Sequence, residues 1–180
     1  MAFKFWNNAP TKIKRILTIA TFFLLSIMIT VAGALTPLSF EEANDLEQQL
    51  EEMRESINVQ LIFGNNFMIC LAMFIPIAGP IFGCYVLYNT GVVIAAQSIT
   101  QGLSPLIVFV FLFVFPFTWL EFLAYSVAFA ESFWLTWRIT QRKGKKELVN
   151  ACLLISICAV TLLAAAIIEM ALISYFGGFE

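Results

Sequence analysis

The sequence predicts an all-α polytopic transmembrane helix bundle, with about five spans, a broken or re-entrant half-helix and one acidic amphipathic helix outside the membrane. Three observations predict it. Of the 180 residues, 61% are hydrophobic and 12% charged, with a mean hydropathy of +0.88, whereas soluble domains carry about 25% charged residues. The charged residues fall in a few blocks separated by apolar runs approaching or exceeding the roughly 20 residues that cross a bilayer. Those blocks are sorted by sign, so the net charge of −2 conceals basic clusters near both ends and an acidic segment between them. Residues 1–180 form one integral membrane domain, with no room for a second globular unit.

The first span, 16–35, follows Lys4, Lys12, Lys14 and Arg15. A secretory leader also begins basic, but its apolar region is nearer 7 to 15 residues. Val31-Ala32-Gly33-Ala34 is compatible with cleavage, yet the longer run favours an uncleaved anchor.

After Pro37, Ser39-Phe40-Glu41-Glu42 has the form of a capping box, in which the Ser hydroxyl and the Glu three residues on satisfy unpaired amides at a helix start. It opens a helix over 39–57. Leu46, Leu50, Met53 and Ile57 form a single apolar stripe, and Glu41, Glu42, Asp45, Glu47, Glu51, Glu52 and Glu55 face elsewhere, offset only by Arg54. Interfacial helices rely on Lys and Arg to meet anionic lipid, so this stripe is expected to meet protein. Either it folds back on its own bundle or it is a docking stripe for a partner.

The second span, 59–76, contains Asn65-Asn66 and closes on Pro76-Ile77-Ala78-Gly79-Pro80, a turn signal. The third, 81–97, holds Gly83, Asn89 and Gly91, small residues for close helix approach and an amide able to bond across helices. From Pro105 to Trp137 the chain is apolar for about 33 residues, longer than one span at 1.5 Å per residue. Pro116 removes a backbone donor and clashes with the preceding turn. The stretch therefore divides into a half-helix over 106–115 and a span over 118–137, or forms one long kinked helix. Arg138, Arg142, Lys143, Lys145 and Lys146 follow, half of the ten basic residues, and the positive-inside rule assigns them to the cytoplasm. The last span is 148–176. Five crossings put both basic clusters inside, with the N-terminus cytoplasmic and the C-terminus extracytoplasmic in the cell membrane.

Ionisable residues within spans are functional candidates by default. Glu121 lies one turn beyond the Pro116 break, where it either caps the new helix or forms part of a site. Glu131, seven residues before Arg138, is placed to share the cytoplasmic interface with it, and Glu169 is expected to pair inside the bundle. Asn65, Asn66, Asn89 and Glu121 make up the candidate intramembrane polar cluster. No catalytic, metal or cofactor residue is assigned. His is absent, so zincin motifs and His-dependent triads cannot be built. The four cysteines, Cys70, Cys84, Cys152 and Cys158, lie in apolar runs as small buried hydrophobes.

Phe63-Gly64-Asn65-Asn66 opening a span, Gly83 with Asn89-Thr90-Gly91 in the next, and Pro116-Phe117-Thr118-x-x-Glu121 at the break together resemble the stage II sporulation protein M family over nearly the whole chain. The family's signature at the break reads Pro-His-Gly-x-x-Glu, so Phe117 and Thr118 stand in place of its His and Gly. The resemblance implies a non-enzymatic membrane scaffold or assembly protein, since the family's namesake gathers peptidoglycan-degrading partners at a septal membrane. Two other readings stay open: an accessory subunit of a membrane enzyme complex, or a small transporter or channel-like protein with a polar site at the broken helix. The expected partners are the lipid bilayer and other membrane or extracytoplasmic proteins, or a second copy of the chain. No nucleic acid and no cofactor is implied.

Overall fold

Backbone amides in a bilayer core have no water to bond, so each apolar run closes its hydrogen bonds within a helix. The computed structural model describes residues 10–54, 57–142 and 144–176. The expectations placed on Lys4, Glu55, Lys143 and residues 177–180, and on the side chains of Met53, Arg54, Lys145 and Lys146, lie outside what is described. Among the described residues the helices are α1 (Thr11–Ala34), α2 (Phe40–Arg54), α3 (Val59–Met73), α4 (Ala78–Thr100), α5 (Pro105–Leu112), α6 (Pro116–Thr140) and α7 (Gly144–Phe176).

Length and composition qualify α1, α4 and residues Glu147–Tyr175 of α7 as membrane spans, and α5 with α6 make a fourth if that pair is one broken span. The remaining apolar helix, α3, has 15 residues, about 22 Å at 1.5 Å per residue against a hydrocarbon core of about 30 Å. It stops at Met73, short of the expected 76, because the residue before a proline is pushed out of the helical region. α4 and α6 outrun their apolar stretches, covering 78–100 rather than 81–97 and 116–140 rather than 118–137, whereas α5 ends at Leu112 rather than 115. Hydropathy marks what lipid accepts, whereas a helix continues until its backbone is interrupted.

The apolar helices α1, α3, α4, α6 and α7 run alternately through the bundle. One end of the bundle gathers the starts of α1 and α7 and the end of α6, where Arg15 meets Glu131 and Glu147. The α3–α4 turn lies at the same end, where Ser132 Oγ donates to the Ile75 carbonyl (2.7 Å) and the Ile77 amide donates to Thr136 Oγ1 (3.2 Å). Ile77 has φ 68° and ψ −56°, and the Ala78 amide reaches the Pro76 carbonyl at 2.7 Å. That is a tight three-residue γ-turn. The Thr136 bond helps to hold it.

The most extensive packing is between α6 and α7, followed by α1 against α4. Phe129, 1% exposed, sits at the core with Leu87, Met73, Phe122 and Leu162. Phe22 stacks on it at 5.5 Å. Gly83 makes room for this ring, since a methyl there would lie 2.5 Å from Phe129 Cζ. Where α1 crosses α4 the backbones touch: a methyl on Gly91 would lie 2.8 Å from Gly33 Cα, and one on Gly33 would collide with the Tyr88 carbonyl. Gly91 was a packing glycine on sequence grounds; its partner Gly33 was visible only as part of a possible cleavage site.

The capping box forms at the start of α2, with the amide and hydroxyl of Ser39 both 2.8 Å from Glu42 Oε2. The backbone amide first, then the hydroxyl, hold that carboxyl below its ordinary range. The following helix packs on α4. Ala43 is fully buried, and Leu46, Leu50 and Ile57 are half-buried. Leu46 and Leu50 of the expected stripe lie on this helix and Ile57 beyond its end at Arg54, each keeping part of its surface open.

Two substitutions test the close α1–α4 approach. Gly91→Val is expected to lower the thermal midpoint in detergent sharply or prevent folding. Gly64→Ala, where a methyl meets nothing within 4 Å, is expected to be neutral or stabilising by up to about 1 kcal/mol.

Candidate functional site

The break between α5 and α6 creates the main polar problem in the bundle. The two helices are bent by 87°, and Phe115, extended at φ −88° and ψ 132°, leads into Pro116 at the first position of α6. Carbonyls at the end of α5 lose their next-turn amides and must find other donors. Thr118 Oγ1 donates to the Leu112 carbonyl and Trp119 Nε1 to the Phe113 carbonyl, both at 2.8 Å. The Thr118 hydroxyl supplies a donor that glycine would lack.

Glu121 does not cap α6. Its Oε1 accepts from Asn66 Nδ2 of α3 at 2.6 Å, and Asn66 Oδ1 in turn accepts from the Tyr125 hydroxyl at 3.1 Å. Tyr125 is 7% exposed. The hydrogen-bonded cluster therefore joins two helices, Asn66 on α3 with Glu121 and Tyr125 on α6, while Glu169 of α7 is half-buried. One turn deeper, the thiols of Cys70 and Cys158 both point at the Ala124 carbonyl, at 3.9 and 3.6 Å.

Of the four residues assigned to the polar cluster from sequence, Asn66 and Glu121 meet. Asn65 is exposed, one position round the helix from its neighbour, and Asn89 Nδ2 bonds back to the Tyr85 carbonyl of its own helix at 2.8 Å. Tyr125 joins the pair instead. Tyr125 follows Glu121 by four residues and so shares its helix face, which was the available signal.

A second polar assembly occupies the opposite end. Arg15 Nη1 lies 2.9 Å from Glu131 Oε2, its Nη2 pairs with Glu147, and Arg138 Nε lies 3.7 Å from Glu147 Oε2. Both guanidinium groups stand over the Trp134 ring, at 5.6 and 5.9 Å from its centre. Spacing along one helix puts Glu131 and Arg138 on one face to share an interface, and both join this assembly, Glu131 through Arg15 and Arg138 through Glu147, because α1 enters beside α6. Glu131 is 2% exposed and Glu147 4%, so these carboxylates need cations that come with the fold. Among the described residues no group of three or more His, Cys, Asp or Glu is arranged to hold a metal.

The Asn66–Glu121 bond predicts a graded response. Glu121→Gln keeps an acceptor for Asn66 and is expected to retain the folded state. Glu121→Leu strands the amide and is expected to cost about 1 to 3 kcal/mol, read by unfolding in detergent. Equal losses for both variants would show that the hydrogen bond does not matter.

No curated protein and no solved structure matches the chain. The profile described as Stage II sporulation protein M matches residues 18–174, which takes in the Asn pair, the paired glycines, the Pro116 break and Glu121. The chain belongs to the stage II sporulation protein M family.

Proposed function

We propose that the chain is a non-catalytic multi-pass scaffold that holds other membrane or extracytoplasmic proteins together, with α2 as its presenting element. The observation that carries this reading is the disposition of α2. Its apolar side rests on α4 while Glu41, Glu42, Asp45, Glu51 and Glu52 stand exposed on the other. A helix anchored in this way presents a fixed array of carboxylates to water, suited to a partner with a basic surface. The proposed topology has five crossings, α3 and the bent pair each counting as one. The N-terminus and the Arg15–Arg138 end face the cytoplasm, and α2 and the C-terminus lie outside. Basic residues at the starts of α1 and α7 support that orientation. Accessory-subunit status in a larger membrane complex is a form of the same reading in which the partner carries the chemistry.

A transport reading is favoured by one observation, the meeting of Asn66, Glu121 and Tyr125 from two helices. Against it, Glu121 is already engaged by Asn66 within the chain.

Purification of the full chain in mild detergent is expected to bring down stoichiometric partners. Replacing Glu41, Asp45, Glu51 and Glu52 by their amides is expected to release those partners without lowering thermal stability. Recovery of the chain alone as a homodimer, with ion flux in vesicles that Glu121→Gln abolishes, would favour transport instead. For topology, a membrane-impermeant thiol reagent applied to intact cells is expected to label Glu51→Cys and spare Gln141→Cys, in a background lacking the four native cysteines. The reverse pattern would invert the orientation.

A further inference from the structure

A cavity of about 390 Å³ opens beside the Arg15–Glu131 assembly, lined by Thr11 and Lys14 of α1 and by Phe133, Trp134, Trp137, Arg138 and Gln141 of α6. Its volume is in the range of small-molecule sites, about 300 to 1,000 Å³. The lining divides by chemistry. Lys14, Arg138, Gln141 and Thr11 supply cations and hydrogen-bond donors, and Phe133 and Trp137, 48% and 54% exposed, supply an aromatic edge facing outward.

Arg15 and Arg138 differ in how far they are committed. Arg15 has short contacts to two buried carboxylates. Arg138, by contrast, reaches Glu147 at 3.7 Å and Gln141 Oε1 at 3.4 Å, both long for charge-assisted bonds, which run about 2.7 to 2.9 Å. Its guanidinium lies over Trp134 and borders the cavity. A planar cation with slack protein contacts, a lysine one helix away and tryptophans at the end of a membrane helix match what a phosphodiester between acyl chains and water requires.

We propose that this cavity binds the headgroup of an anionic phospholipid. The phosphate would sit between Lys14 and Arg138, the polar headgroup substituent would meet Gln141 and Thr11, and the acyl chains would run along Phe133 and Trp137 into the bilayer. Basic pockets between transmembrane helices select anionic headgroups in this manner. The charge complementarity, the aromatic edge and the position at the bundle end argue for lipid over a soluble phosphate compound, which would gain nothing from exposed Phe133 and Trp137.

Native mass spectrometry of the full chain, after exchange into mixed micelles of phosphatidylglycerol and phosphatidylcholine, tests the site. One phosphatidylglycerol is expected to be retained in preference to phosphatidylcholine. Arg138→Gln and Lys14→Gln are each expected to weaken retention about fivefold, the equivalent of about 1 kcal/mol per basic residue. Lys12→Gln, an exposed lysine at the same end but outside the cavity lining, is expected to change nothing. If Arg138→Gln does not fold, Arg138→Lys with Lys14→Gln carries the comparison. Equal retention of the two lipids, an equal loss with Lys12→Gln, or displacement by millimolar inorganic phosphate would each overturn the proposal.

Discussion

A charge or amide taken into an apolar bundle has to bring its partner with it, and that constraint organises this molecule. Removing one member of a buried ion pair costs about 3 to 5 kcal/mol because the other is left uncompensated. Arg15 answers to Glu131 and Glu147 at one end, and Asn66 answers to Glu121 and Tyr125 nearer the other. Between them these contacts tie α1, α3, α6 and α7. The apolar contacts supply most of the packing, but they do not discriminate one helix register from another as sharply as a buried carboxylate with one nearby cation.

The same constraint explains the break at Pro116. A bend of 87° inside an apolar stretch frees carbonyls that lipid cannot satisfy. Trp119 bonds the Phe113 carbonyl from the following helix, and Thr118 joins the Phe115 amide on the Leu112 carbonyl. This frees Glu121 from capping and leaves its carboxylate available to Asn66. The bend is thus a fixed structural element with its own donors, and the polar cluster is built on the first full turns of the helix it opens.

Much of the helical plan was readable from sequence because apolar runs and their interruptions are local properties. The capping box at Ser39, the turn at Pro76–Pro80 and the break before Pro116 each follow from a few consecutive residues. The partners of the polar groups were less accessible. Glu131 has Arg138 on its own face by spacing, yet takes Arg15 from 116 positions away, a choice made by which helices become neighbours. Asn65 and Asn66 are equivalent in composition, and only the rotation of α3 decides which faces Glu121. The stripe on α2 was readable as apolar, whereas its burial on α4 depended on the tertiary arrangement.

The central claim is that buried ion pairing fixes the arrangement of the helices, and a double-mutant cycle on Arg15 and Glu131 addresses it most directly. With unfolding followed in detergent, Arg15→Met and Glu131→Leu are each predicted to be strongly destabilising alone. Together they should lose less than the sum, because the double variant removes both members of this pair and leaves only Glu147, which keeps Arg138, to be compensated. Losses that simply add would mean the two side chains act independently, contradicting the account.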